Sequence, residues 1–270
     1  MYQNFDALDV KQARKLGLAS ALGQLFDHGC DCCMSSVYLL NIVIMFKLGQ
    51  HPCVLVLFLV CVHIIFYAPN WAEFFTHILR TNNNNMDVTE IHFVMITLNL
   101  LTGIFGEGIW HQSYFGLSFP TLISIFISVS VGLNCGPLIL EAWDAAKDKQ
   151  LFYRMTIPII TYFFAILLTI VLLPDYFKSA TATKVLLFCF VFNVISIKLI
   201  TGSLTRMTYS TFHWEIAGLY LTIVLLKLGF SECLICLMTL VMLARLIQLA
   251  LSIIIDISTY LKINVLWVPK

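Results

Sequence analysis

Long apolar runs separated by short polar breaks make up nearly the whole chain. Eight runs approach the roughly 20 residues that a helix needs to cross a bilayer. They cover about 22–47, 53–69, 91–109, 117–140, 152–173, 183–203, 213–231 and 233–257. The polar breaks include TNNNNM at 81–86, EAWDAAKDKQ at 141–150 and PDYFKSATATK at 174–184. The Asn run is low in complexity and reads as a loop. This pattern predicts an all-α polytopic membrane protein with about eight transmembrane helices, in one unit over residues 1–270.

Composition agrees. The chain is 60% hydrophobic and 11% charged, with a mean hydropathy of +0.90, whereas soluble domains carry about 25% charged residues. The net charge of +1 gives no support to a nucleic-acid partner. Most of the nine cysteines lie within apolar runs, where a thiol acts as a small hydrophobe. The polar amino end MYQNFDALDVKQARK has no apolar core of signal-peptide length.

Eight crossings would leave both termini on one side. That side would hold ten Lys and Arg residues and the other four: Lys47, Lys178, Lys184 and Lys227. Positive charge favours the cytosol, so the termini are expected there. Lys198 and Arg245 fall inside spans and are expected to snorkel or to bond another helix.

The chemistry concentrates near the amino end. Asp6 and Asp9 are three apart; Gly23, Asp27 and Asp31 follow at intervals of four. On a helix each set shares one face. Converging carboxylates repel one another unless cations intervene. Oxygen donors suit magnesium or manganese, which in turn suits a phosphate-bearing substrate. Asp31 opens into an apolar run, where ionisable residues are costly and usually functional. Caps or solvated loop residues would also account for these acids. The acids gather at one end, unlike the midplane site expected of a transporter.

The pattern resembles the CDP-alcohol phosphotransferase family, which carries D-x2-D-G-x2-A-R, about eight residues, then G-x3-D-x3-D. Asp6, Asp9, Ala13, Arg14, Gly23, Asp27 and Asp31 match seven of its eight specified positions. The strings KQAR and GQLFDHGCD, with NWAEFFTHILR at 70–80 and MDVTEI at 86–91, resemble its choline/ethanolamine branch. The resemblance implies transfer of phosphocholine or phosphoethanolamine from CDP-choline or CDP-ethanolamine to diacylglycerol, releasing CMP. It further implies a homodimer in the endoplasmic reticulum or Golgi membrane, with its site facing the cytosol. Asp6, Asp9, Asp27 and Asp31 would hold Mg2+ or Mn2+, and Asp31 would serve as general base. His28 is the rival base, although one residue's rotation turns it about 100° from Asp27 on a helix. Ala13 and Gly23 would admit the nucleotide and Arg14 would meet phosphate. Glu73 and Glu90 flank the loop after the second span and are expected near the headgroup. Trp71, beside them, fits an interfacial anchor.

Two departures stand out. The family's glycine after the second Asp is Val10, which adds bulk where a nucleotide would lie against backbone. The family's ten-helix fold also has about two helices before the motif, whereas this sequence starts at MYQNFD, as expected of an incomplete sequence or a truncated gene product. An alternative expectation is therefore a catalytically impaired membrane paralogue with a structural or partner role.

Overall fold

A computed structural model describes residues 20–80, 88–114, 116–178, 182–207 and 210–262, with single positions before residue 20. Among these are eight α-helices: α1 (Ala21–Met45), α2 (Pro52–Thr76), α3 (Val88–Phe105), α4 (Phe119–Ala145), α5 (Lys149–Leu172), α6 (Ala182–Thr205), α7 (Trp214–Lys227) and α8 (Cys233–Leu261). Each falls on one of the eight apolar runs, so the chain is an all-α integral membrane protein. Six helices are long and apolar enough to cross a bilayer: α1, α2, α4, α5, α6 and α8. The described apolar part of α3 covers only Phe93–Phe105. Helix α7 has 14 residues, about 21 Å of helix against a hydrocarbon core of about 30 Å.

Helix α6 is the centre of the bundle. Within its most apolar stretch 78% of positions are buried, against 22–39% in the other five candidate spans. It packs against α1, α2, α5, α7 and α8. Phe188 and Phe192 are among its fully buried side chains. Helix α4 instead packs along α2 on the outside.

The helix directions follow from particular contacts. A short link containing a 3-10 turn (Leu48–Gln50) reverses the chain between α1 and α2. His63 of α2 stacks on Phe192 of α6, with ring centroids 3.9 Å apart. Ten residues later Glu73 of α2 hydrogen-bonds Ser203 of α6. Helices α2 and α6 are therefore parallel, and α1 runs antiparallel to both. Asn193 of α6 joins α1: its Nδ2 donates to Cys32 O and Cys189 O at 3.2 Å each, while its Oδ1 accepts from Ser36 Oγ at 3.0 Å. This orientation satisfies both ends of the buried amide.

Some boundaries differ from those read in the sequence. The second run was bounded at Pro69, yet α2 continues through that proline to Thr76. Packing outweighs the lost backbone bond here. Trp71 is 4% exposed and meets Phe75 and Phe152 edge to face at 5.3 and 5.0 Å. It is thus a core residue rather than an interfacial anchor. After α3, a short hairpin pairs Ser113 with Ser118 and Tyr114 with Leu117, and Gly116 supplies the positive φ (79°) of its turn.

Two polar pairs join helices, one exposed and one buried. Asn41 of α1 and Asn99 of α3 exchange amide bonds of 3.0 and 3.1 Å. Tyr162 Oη lies 3.0 Å from His63 Nδ1 and 3.2 Å from Phe188 O. The phenol has one proton, so both contacts are bonds when it donates to Phe188 O and accepts from a protonated Nδ1. Tyr162→Phe removes both and leaves the His63 donor buried without its acceptor. The expected loss is about 1–3 kcal/mol of stability, read as a lower unfolding midpoint in detergent. An unchanged midpoint would show that the pair contributes nothing.

A candidate metal and phosphate site at the start of helix α1

Ser20 sets where α1 begins. It is the N-cap, with extended backbone, and its Oγ accepts from Gly23 N–H at 3.1 Å. Gly23 therefore lies in the first turn, and Asp27 and Asp31 follow one and two turns later. A Cβ on Gly23 would meet only Ser20 Oγ, at 3.4 Å, so the space over this turn is open.

Asp27, His28 and Asp31 are all half-buried. Each offers one ligand atom, and these atoms lie within 4.8 Å of one another. Two carboxylates and an imidazole at this spacing fit a divalent cation by donor chemistry. The inclusion of His28 departs from the expectation drawn from helical rotation. Its backbone position is turned from Asp27, but its side chain still reaches the group. Asp6, Asp9, Val10, Ala13 and Arg14 lie outside the described residues, as does the Glu90 side chain.

Glu73 is half-buried at the last turn of α2, facing Ser203 near the end of α6. Because α1 is antiparallel to α2, this is the end of the bundle that carries Asp27 and Asp31. Arg80 and Glu141 make an ion pair of 2.8 Å between the segment after α2 and the last turns of α4. Trp71, Phe75, Trp143 and Phe152 pack beneath as an aromatic layer.

A second charged cluster was only half legible in the sequence. Lys198 of α6 and Arg245 of α8 both bond Glu215 in the first turn of α7. Lys198 Nζ donates to the two carboxylate oxygens at 2.8 and 3.0 Å, and Arg245 Nε donates to Oε1 at 3.1 Å. The Glu215 side chain is 0% exposed. Both cations thus make helix–helix bonds, one of the two outcomes expected for them. Missed was their shared acid; its signal was a lone Glu near the start of an apolar run. Lys198 lies five residues beyond Asn193, so it stands at about the depth of Asp27 but roughly 140° around α6. The two clusters occupy different faces of the bundle.

Comparisons with known proteins converge on the α1 end. Residues 2–100 match the family model described as CDP-alcohol phosphatidyltransferase. Cholinephosphotransferase 1 of Gallus gallus is 33% identical over 141 residues, 48% of this chain and 40% of that protein. Cholinephosphotransferase 1 of Rattus norvegicus is 36% identical over 110 residues, 41% of this chain and 27% of that protein. An uncharacterized CDP-alcohol phosphatidyltransferase class-I family protein of Dictyostelium discoideum is 35% identical over 124 residues, 46% of this chain and 31% of its own length. The matched stretches thus cover less than half of each of these relatives. Residues 2–100, the segment that holds the Asp27–Asp31 turn, match the CDP-alcohol phosphatidyltransferase family model, and part of the chain is similar to cholinephosphotransferases.

Proposed function

We propose that this chain takes part in phospholipid synthesis. It would move phosphocholine or phosphoethanolamine from CDP-choline or CDP-ethanolamine to diacylglycerol, with CMP released. The observation that carries the reading is the convergence of Asp27, His28 and Asp31 within 4.8 Å, on a half-buried turn inside the family-matched segment.

Asp27 and Asp31, with Asp6 and Asp9, would hold Mg2+ or Mn2+, and His28 is a further donor. Such an ion offsets the charge of a diphosphate and of the departing phosphate. The diacylglycerol hydroxyl oxygen attacks the phosphorus that bears the alcohol. The bond from that phosphorus to the CMP oxygen breaks, and Asp31 takes the hydroxyl proton, with His28 as the rival acceptor. Ala13 and Gly23 leave room for the nucleotide, Arg14 meets phosphate, and Glu73 and Glu90 stand toward the cationic headgroup. The Lys and Arg bias supports a cytosol-facing site, and the family branch supports an endoplasmic reticulum or Golgi membrane and a homodimer.

Val10 favours a second reading, a catalytically impaired paralogue. The side chain adds three carbons where the family has none and stiffens the turn. Loss of one charge-assisted phosphate bond costs about 1.5–3 kcal/mol, a tenfold to hundredfold loss of affinity. Val10→Gly is thus expected to tighten CDP-alcohol binding by about that factor. The assay follows binding and CMP release by purified protein with diacylglycerol and Mg2+ or Mn2+. Release by the Val10 chain equal to that of its Gly variant would remove the second reading; no release and no nucleotide binding in either would remove the first.

A further inference from the structure

At the other end of the bundle a cavity of about 410 Å³ opens between the α5–α6 and α7–α8 connections. Its wall holds two cations, Lys184 and Lys227, and two anions, Asp175 and Glu232. Lys184 is fourteen residues before Lys198 on α6, about 21 Å along the helix. This cavity is therefore separate from the acidic turn of α1.

The Lys184 side chain is only 3% exposed. A buried ammonium is costly unless paired. Its Nζ lies 3.0 Å from Glu232 Oε1 and 5.2 Å from the centre of the Tyr176 ring. Glu232 is 74% exposed, so the cation is fixed in the wall while its counter-ion stands toward solvent. Tyr176 Oη donates to Lys184 O at 3.4 Å. Burial, and then the neighbouring Glu232 charge, push the Tyr176 phenol up, which keeps that donor neutral. Asp175 is bonded by Lys178 at 2.8 Å. Among the described residues Lys227 makes no ion pair. The rest of the wall is apolar, formed by the last residues of α5 and α7 and by Phe230, which is 58% exposed.

We propose that this cavity binds a phosphate–ammonium zwitterion, the headgroup class of ethanolamine and choline phospholipids. A simple anion placed there meets Glu232 and Asp175, and a simple cation meets the two lysines. A zwitterion lays its phosphate toward Lys184 and Lys227 and its ammonium toward Glu232. The volume lies within the range of small-molecule sites. Apolar walls at the ends of membrane helices favour a lipid over a soluble headgroup. The inference does not depend on the proposed reaction, because it uses neither the acidic turn nor its chemistry.

The test is equilibrium binding of radiolabelled short-chain phosphatidylethanolamine to the purified chain in detergent. Lys227→Ala changes an exposed, unpaired side chain and should fold; Glu232→Gln removes the charge but leaves Lys184 an acceptor, and its unfolding midpoint is measured beside binding. Each is expected to weaken binding about tenfold, the value of one lost charge-assisted bond. Lys184→Met is expected to weaken it further. Unlabelled phosphatidylcholine should compete; phosphatidylglycerol, diacylglycerol and inorganic phosphate should not. Glycerophosphoethanolamine separates the sources: weak competition assigns the cavity to the lipid, and competition equal to the lipid's assigns it to the free headgroup. Equal competition by phosphatidylglycerol would overturn the proposal. So would unchanged binding in both surface variants.

Discussion

Asp27→Asn is expected to abolish both divalent-metal binding and CMP release while leaving the fold intact. Asn has nearly the volume of Asp, and the position is half-buried rather than in the core. What it lacks is the full negative charge. In the native turn a cation would meet two carboxylates and an imidazole within 4.8 Å; in the variant it meets one carboxylate and the imidazole. Hard divalent ions depend on such charge. Metal binding should be followed by calorimetry and turnover by CMP release, with the unfolding midpoint as the control. Undiminished turnover at an unchanged midpoint would remove Asp27 from the chemistry. His28→Gln adds a second comparison: weaker metal binding identifies the imidazole as a donor, whereas intact metal binding with lower turnover fits a proton acceptor.

Glu215→Gln is expected to be the most destabilising single change outside the family-matched segment. Its carboxylate holds Lys198 and Arg245 together, and its side chain is fully buried. The amide keeps the shape and one acceptor but removes the charge. Two cations, 21% and 23% exposed, then face each other without a counter-ion. Breaking a buried pair from one side costs about 3–5 kcal/mol. Adding Lys198→Met should recover part of that loss, because it removes the more deeply committed cation. A double-mutant cycle on unfolding midpoints measures the coupling. Full additivity would mean that the three side chains do not act as a unit.

Among the described residues the apolar runs located every α-helix, because lipid leaves a simple signal: an apolar run of sufficient length. They could not say which helix is central. The α6 stretch has a mean hydropathy of 2.2, while α2, α5 and α8 have 2.3, 2.4 and 2.3. In water, burial separates apolar from polar faces; in lipid both environments are apolar, so the distinction disappears. The end of α2 was missed for a related reason. Pro69 is a local stop signal, and the packing that overrides it comes from Phe152, far along the chain. The acidic turn was legible because spacings of four put Gly23, Asp27 and Asp31 on one face. His28 was underweighted because helical rotation describes Cβ directions and a long imidazole reaches around them. The Lys184 site was not legible. Its cation was read as part of a polar loop, but the first turn of α6 carries it into the wall.

The Glu215 cluster also constrains the order in which the chain can enter a membrane. Lys198 is synthesised 17 residues before the acid that neutralises it, and Arg245 emerges 30 residues after that acid. A lone lysine in a span costs about 2.5–3.5 kcal/mol on insertion scales. Helix α6 should therefore be held at the translocon until α7 arrives, so that the two leave together with Lys198 and Glu215 paired. Arg245 then enters with α8 against an acid already in place. A ribosome stalled between the codons for Lys198 and Glu215 would leave the most buried helix of the bundle as its least readily inserted one.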